Sequence, residues 1–321
     1  MSLKLIVNGF NVEVKTIGFS DGASNLFIDP QLMPAEPEYY TVLVEPSTRI
    51  NDIYAELKHF IDIMERDWPQ IQRRHLYLHY LPDGRADRPF TKGYAFPLQV
   101  FINDMIFHFT EVTIVDPHNP DAVRSIISRM VPVLGMNLIP KVNIVSQAEV
   151  FSTLYRDTHC FGVKGDICLI SPDKGAVDKT NAIKEALGND CDAVLYFNKE
   201  RDVHTGHITS IDIVNERDAF LNAAVLKMDG GFRQYVVVDD ICDGGGTFIP
   251  IAIKIKQLLE KHGVPNTQYR IVLFVTHGIF SKGISGLDVF DAIYTNHIVA
   301  NYVTKDEIAA FNKRIKTTIQ E

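Results

Sequence analysis

Tyr235–Phe248 reads Tyr-Val-Val-Val-Asp-Asp-Ile-Cys-Asp-Gly-Gly-Gly-Thr-Phe, and the fold turns on how that run is parsed. Four consecutive apolar or aromatic residues, Tyr235 to Val238, suit a strand buried on both faces, as in a parallel sheet. Asp239 and Asp240 follow at its carboxyl end. Asp243, Gly244, Gly245, Gly246 and Thr247 then lead into a helical pattern from Ile249 to Leu259. The order is strand, acidic pair, glycine loop, helix. In open α/β sheets, ligands bind outside the carboxyl ends of the strands. Glycines let a backbone curl so that several N–H groups point at one anion, and a helix N-terminus favours negative charge. The two carboxylates would repel a phosphate, so they suit ribose hydroxyls or a Mg²⁺ ion. No Gly-Lys-Ser/Thr closes the loop and no Gly-x-Gly-x-x-Gly follows the strand, which excludes a P-loop and a dinucleotide fingerprint here.

At 321 residues the chain has room for two domains, each with its own core. A hydrophobic content of 46% with 22% charged residues describes a globular protein and excludes a disordered one. The formal charge of −8 argues against a general nucleic-acid binder, while leaving local basic pockets open. Cys160, Cys168, Cys191 and Cys242 are scattered without Cys-x-x-Cys spacing, which fits a reducing, cytoplasmic setting. The first ten residues lack the apolar region of a signal peptide, and no apolar run approaches the ~18 residues of a membrane span.

Strand and helix patterns alternate along the chain. Residues 3–7 and 11–18 read as a hairpin about Asn8-Gly9. Thr41–Glu45 is a buried strand. A helix follows from Asn51-Asp52, with Ile53, Leu57, Phe60, Ile61 and Met64 at helical spacing. His75–Tyr80 reads as a strand, Tyr94–Phe107 as a helix, Glu111–Val115 as a strand and 121–130 as a helix. The second half repeats the rhythm: strand 167–170, helix 177–187, strand 193–197, strand 207–214, the opening run, strand 269–276 and a last short strand 292–296. This predicts two tandem α/β domains with doubly wound parallel sheets, 1–142 and 143–321. The joint falls near 137–148, and a C-terminal helix near 304–316 is expected to pack back across it.

Motifs in this order resemble the ribose-phosphate pyrophosphokinases (PRPP synthetases) along nearly the whole chain, and the opening run by itself resembles the ribose-phosphate loop of phosphoribosyltransferases. Phe19-Ser20-Asp21-Gly22 looks like the family's Phe-x-Asp-Gly-Glu loop, which reaches ATP on a neighbouring subunit. Pro46-Ser47-Thr48 with Asn51-Asp52 looks like the segment before its first long helix, and Tyr80–Arg88 is similar to its ATP-holding segment. Val115-Asp116-Pro117-His118 resembles a metal site, as does Ser171-Pro172-Asp173-Lys174-Gly175. Lys199-Glu200-Arg201 resembles the catalytic loop, Thr276-His277-Gly278-Ile279-Phe280 a Thr-His-Gly-x-Phe segment, and Thr295-Asn296 the last strand.

The resemblance implies phosphoribosyltransferase-like domains and transfer of the β,γ-diphosphoryl group of ATP to the anomeric hydroxyl of ribose 5-phosphate, leaving AMP. It implies Mg²⁺ held with the help of His118 and Asp173. It also implies that Lys199 and Arg201, on a mobile loop, neutralise the transferring group, since such catalysis is positioning and charge neutralisation. Arg85, Asp87 and Arg88 are implied at ATP, with Phe19, Asp21 and Gly22 reaching it in trans in a homo-oligomer, a dimer or hexamer. Asp239 and Asp240 are implied at the ribose hydroxyls and Asp243–Thr247 at the 5-phosphate.

Three departures stand out. Ala23 replaces the family's Glu, Ala86 replaces Gln, and Asp-Gly-Gly-Gly-Thr replaces Asp-Thr-Ala/Cys-Gly-Thr. A smaller, looser loop would tolerate a substituted phosphate, so the acceptor is either ribose 5-phosphate or one such as ADP-ribose. Divergent phage-encoded relatives tied to NAD metabolism give the second a precedent, and such a member would act in the host cytoplasm. Two other readings remain, a catalytically silent regulatory relative and a phosphoribosyltransferase that consumes PRPP.

Overall fold

In the computed structural model, which describes residues 3–47, 49–135, 138–157, 166–201, 208–214, 232–299 and 302–314, the chain divides into two compact units, Met1–Val145 and Ser146–Glu321. Thr48, Asn137 and Cys160 lie outside the described residues.

In the first unit, Leu3–Val7 (β1) pairs antiparallel with Phe10–Val12 (β2) across Asn8 (φ 50°) and Gly9 (φ 86°), the positive-φ pair a tight hairpin needs. The single strand expected over 11–18 is split. Val14–Gly18 (β3) leaves the hairpin and pairs with Ser24–Ile28 (β4) in a two-stranded sheet of its own, because β1 is too short to partner it. On the other side of β1, Tyr39–Val44 (β5) runs antiparallel to it. Arg73–Leu78 (β6), Glu111–Val115 (β7) and Lys141–Val145 (β8) then add in parallel, giving the order β2-β1-β5-β6-β7-β8.

The parallel strands lie in chain order, joined by Ile50–Asp67 (α1), Pro97–Met105 (α2) and Pro120–Leu134 (α3). Val42, Val44, Leu76, Leu78, Val112 and Ile114 point at period two into one core. There they meet Ile53, Leu57, Phe60 and Met64 of α1 and buried residues of α2 and α3. Helix α2 starts at Pro97, three residues later than the apolar pattern from Tyr94, because the residue before a proline is pushed out of the helical region and Phe96 sits outside it at φ −117° and ψ 82°. Strand β8 falls within the stretch read as a joint.

The second unit carries a sheet ordered β11-β10-β9-β12-β13-β14. Asp166–Ser171 (β9), Cys191–Arg201 (β10), Arg233–Cys242 (β12), Tyr269–Gly278 (β13) and Ala292–Ile298 (β14) are parallel, and Ile208–Ile213 (β11) is antiparallel to β10. Gln147–Asp157 (α4) and Val177–Leu187 (α5) cover one face, where Phe151 packs edge-on against Phe274 at 4.8 Å. Phe248–Lys261 (α6) covers the other, over Cys168, Ile170, Tyr235 and Val237. This sheet is doubly wound, with both faces buried.

Lys305–Arg314 (α7) packs on the core of this unit. Asn312 accepts from the Ile293 N–H and donates to its carbonyl, and Ile308 and Phe311 enter the α6-side core.

Candidate active site

From β9 the chain crosses through α5 to β10 on one side, whereas β12 crosses through α6 to β13 on the other. The strand order therefore reverses between β9 and β12, and such a switch opens a crevice at the strands' carboxyl ends. The β9–β12 ladder stops at Ile170–Val237, while the β12–β13 ladder continues to Cys242–Gly278. Asp239 and Asp240 thus belong to the strand, as its unpaired edge on the crevice side. The expected strand end at Val238 is corrected by the β13 partner, which carries β12 on by four residues.

Asp173 follows β9. One of its oxygens accepts from the N–H groups of Gly175 (2.8 Å) and Ala176 (3.2 Å), capping the turn into α5, and the other accepts from Lys199 Nζ. The Ser171 hydroxyl donates to the Asp173 carbonyl at 3.0 Å, fixing the turn. Lys199 reaches Asp173 from β10, where Lys199 pairs with Ile211 and Arg201 with Ile208 in the antiparallel β10–β11 ladder. Lys199, Glu200 and Arg201 thus extend β10, because β11 supplies backbone partners that apolar patterning does not announce, and residues 202–207 lie outside the described residues. The Arg201 side chain lies outside what is described.

Buried Asp240 takes a second lysine, Lys179 of α5, at 3.4 Å, and its N–H donates to Asp239 Oδ1 at 2.9 Å. Burial, and then the negative charges of Asp240 and Asp173, push the Asp239 carboxyl well above the usual carboxylate range. The result is three carboxylates and two lysines at one strand switch, an arrangement that holds charge ready for a charged ligand.

The glycine loop is tightly built. Gly245 has φ +78°, and a methyl there would come within 2.7 Å of Leu287 Cδ2 and 3.1 Å of Ile249 Cδ1. Its carbonyl accepts from the N–H groups of Phe248 and Ile249, starting α6. At Gly244 a methyl would meet the Lys282 side chain at 3.1 Å, whereas at Gly246 it would meet nothing within 4 Å. The looseness expected of three glycines is therefore confined to Gly246. Thr247 stands at the helix boundary without capping it through its side chain.

The Thr276–Phe280 segment props this loop. Ile279 and Phe280 donate N–H bonds to the Cys242 carbonyl at 2.8 and 3.1 Å. Phe280 is fully buried at φ 48° and folds back over Gly278, where a methyl would lie 2.1 Å from its ring. The Ser281 hydroxyl donates to Asp243. His277 stacks on His297 at 5.8 Å, and the Thr295 hydroxyl donates to the His297 carbonyl at 2.8 Å.

The remaining predicted residues lie in the first unit. Phe19 to Ala23 form the tip of the β3–β4 hairpin. Asp21 accepts from the Ala23 N–H at 3.0 Å, Gly22 has φ +86°, and Phe19 is 55% exposed, so an aromatic ring stands out from the turn. Tyr80–Arg88 is a folded turn pinned twice. Tyr54 donates to Asp83 (3.0 Å) and Asn119 donates to Asp87 (2.6 Å). Asp87 therefore shapes the segment, while Arg85 and Arg88 are exposed. Asn119 also caps α3 through the Ala122 N–H at 3.0 Å. This ties 85–88 to the turn holding exposed His118, which follows buried Asp116 at φ 37°.

Among the described residues, no three His, Cys, Asp or Glu side chains converge as a metal-binding group. Sequence reasoning missed Lys179, Ser281 and Lys282. No motif marks them, and only the spacing of Lys179 one turn into the helix after Asp173 offered a signal.

No family model matches the chain. It is similar to the ribose-phosphate pyrophosphokinase of Thermococcus kodakarensis, 26% identical over 208 residues, covering 65% of this chain and 59% of the relative. It is also similar to that of Mycoplasmopsis pulmonis, 24% identical over 282 residues, covering 86% of this chain and 73% of the relative. The matches to the ribose-phosphate pyrophosphokinases of Thermococcus kodakarensis, Pyrococcus abyssi and Pyrococcus furiosus span under two thirds of those relatives' own length. In fold it is similar to phosphoribosylpyrophosphate synthetase from Mycobacterium smegmatis, with a TM-score of 0.61 at 14% identity, covering 96% of this chain and 91% of the other.

Proposed function

We propose that this chain, which belongs to the ribose-phosphate pyrophosphokinase family, transfers the β,γ-diphosphoryl group of ATP to the anomeric hydroxyl of a ribose 5-phosphate moiety. The single observation that carries the reading is the convergence of Asp173, Lys199, Asp239 and Asp240 at the β9/β12 switch, in the unit that holds the glycine loop.

In this reading the anomeric oxygen attacks the β-phosphorus, the bond from the β-phosphorus to the α-phosphate oxygen breaks, AMP leaves, and the hydroxyl proton goes to solvent. Asp239 and Asp240 orient the ribose hydroxyls, and the loop from Asp243 to Thr247 receives the 5-phosphate on backbone N–H groups. Lys199, with Arg201, neutralises the transferring group. Arg85 and Arg88 hold the ATP phosphates from a segment that Asp87 stiffens, and Phe19, Asp21 and Gly22 reach ATP of a second copy in a homo-oligomer.

The residues present fit Mg²⁺. It takes one or two carboxylates together with substrate phosphates and water, and a divalent cation would relieve the repulsion from Asp240 and Asp173 that adds to burial in raising the Asp239 carboxyl. Asp173 in the second unit and His118 in the first are each proposed to contribute to the Mg²⁺ sites, where the cation would supply charge neutralisation on the triphosphate. No helix among the described residues is long and apolar enough to cross a membrane. A cytoplasmic enzyme without nucleic-acid partners fits the formal charge of −8.

The test is incubation of purified protein with ATP, Mg²⁺ and either ribose 5-phosphate or ADP-ribose. AMP release dependent on one acceptor is expected and names the acceptor. If neither acceptor releases AMP, the reading fails. Base-dependent pyrophosphate release would replace it with a phosphoribosyltransferase, and stimulation of an active synthetase without turnover would replace it with a regulatory subunit.

A further inference from the structure

We infer that Lys282 is the side chain that reads the acceptor's phosphate, and that position 244 is glycine so that the lysine stem can cross the loop. The inference rests on the reading of Asp243–Thr247 as the phosphate cradle. A methyl at Gly244 would lie 3.1 Å from Lys282 Cδ, 3.2 Å from Cε and 3.4 Å from Cγ, so the aliphatic stem lies against the loop at that residue.

The backbone beneath Lys282 is fixed from both sides. Ser281 is bonded to Asp243, and Ile279 and Phe280 are bonded to the Cys242 carbonyl. Gly283, at φ +69°, closes the turn onto the Phe280 carbonyl at 2.8 Å. The lysine is exposed, and among the described residues it forms no ion pair.

Lysines 179 and 199 are both spent on carboxylates. Lys282 is therefore the described lysine at the glycine loop with its charge available to an anion. Among the described residues, nothing accepts a hydrogen bond from the N–H of Gly246 or Thr247, and the space beside Gly246 is open. A phosphate there would meet orphan N–H groups of a helix start with a cation at its flank.

The probes are inorganic phosphate and ribose 5-phosphate, titrated calorimetrically into the full chain. Lys282→Met keeps the stem and removes the charge. It should weaken both ligands about tenfold, the size of one charge-assisted hydrogen bond, and leave ATP affinity unchanged. Lys282→Arg should restore most of the loss. Gly244→Thr should displace the stem and give a similar loss in the wild-type background, but little further loss on top of Lys282→Met.

Wild-type affinity for both ligands in Lys282→Met overturns the inference. A wild-type protein that binds neither ligand overturns the cradle reading and the inference with it. One that binds both without releasing AMP overturns only the diphosphoryl transfer, and the Lys282→Met comparison still decides the role of the lysine.

Discussion

Lys199 on β10 donates its ammonium proton to Asp173 in the turn after β9, an ion pair that is largely buried on both sides. The two residues are proposed for different tasks, one on the transferring group and one on the metal. Within the pair each neutralises the other. Substrate phosphates and a cation would offer each a new partner, so the pair stores the site's charge without leaving it uncompensated.

Lys199→Ala should lower AMP formation by about 100-fold or more while leaving acceptor binding nearly intact, because its charge matters most as the diphosphoryl group moves. Full AMP production in this variant, measured at saturating ATP, would remove Lys199 from the mechanism.

Three glycine-to-alanine substitutions should separate by environment. Gly278→Ala drives a methyl into the buried Phe280 ring, and Gly245→Ala combines φ +78° with the Leu287 contact. Each should cost about 2–3 kcal/mol in urea unfolding. Gly246→Ala meets nothing within 4 Å and should stay within about 0.5 kcal/mol.

The raised Asp239 carboxyl has a signed consequence. Over the pH range between its unfolded and folded values, the native chain binds more protons than the unfolded one, so stability falls as pH rises through that range. Asp239→Asn keeps an oxygen for the Asp240 N–H and removes the charge. It should be more stable than wild type at pH 8 by about 1 kcal/mol, show a flatter stability-against-pH curve, and lose activity. Parallel curves for the two proteins would show that Asp239 is not the group responsible.

Asn119 serves two elements, accepting from Ala122 as the α3 cap and donating to Asp87. Asn119→Ala should cost about 1–2 kcal/mol of stability. Asn119→Asp keeps the cap but sets two carboxylates together. Under the proposed function it should raise the KM for ATP more than that for the acceptor. Equal effects on both substrates would place the Asp87–Asn119 bond outside nucleotide binding.

Legibility varied by element for physical reasons. Helix α5 was read with its observed bounds because its residues follow one clear helical period between a capping Asp173 and Gly188. Helix α1 was equally plain from Ile53 to Met64. Strands β4 and β8 and helix α4 went unread, since short or mixed patterns acquire their identity from the neighbour they pair with. Strand lengths were underestimated at Asp239–Cys242 and Asn198–Arg201 for the same reason. Polar residues enter a ladder once a partner strand is present.

By itself the sequence determined the alternation of strands and helices, the buried run before Asp239 and the order of the acidic and glycine segments. Those features are written in local periodicity and in the backbone needs of glycine and proline. The pairing of Lys199 with Asp173, that of Lys179 with Asp240 and the contact of Lys282 with Gly244 exist only in the folded chain. These contacts join residues far apart in the chain through strand order and loop packing. Side-chain charges meet only after the sheet has set which strand ends are neighbours.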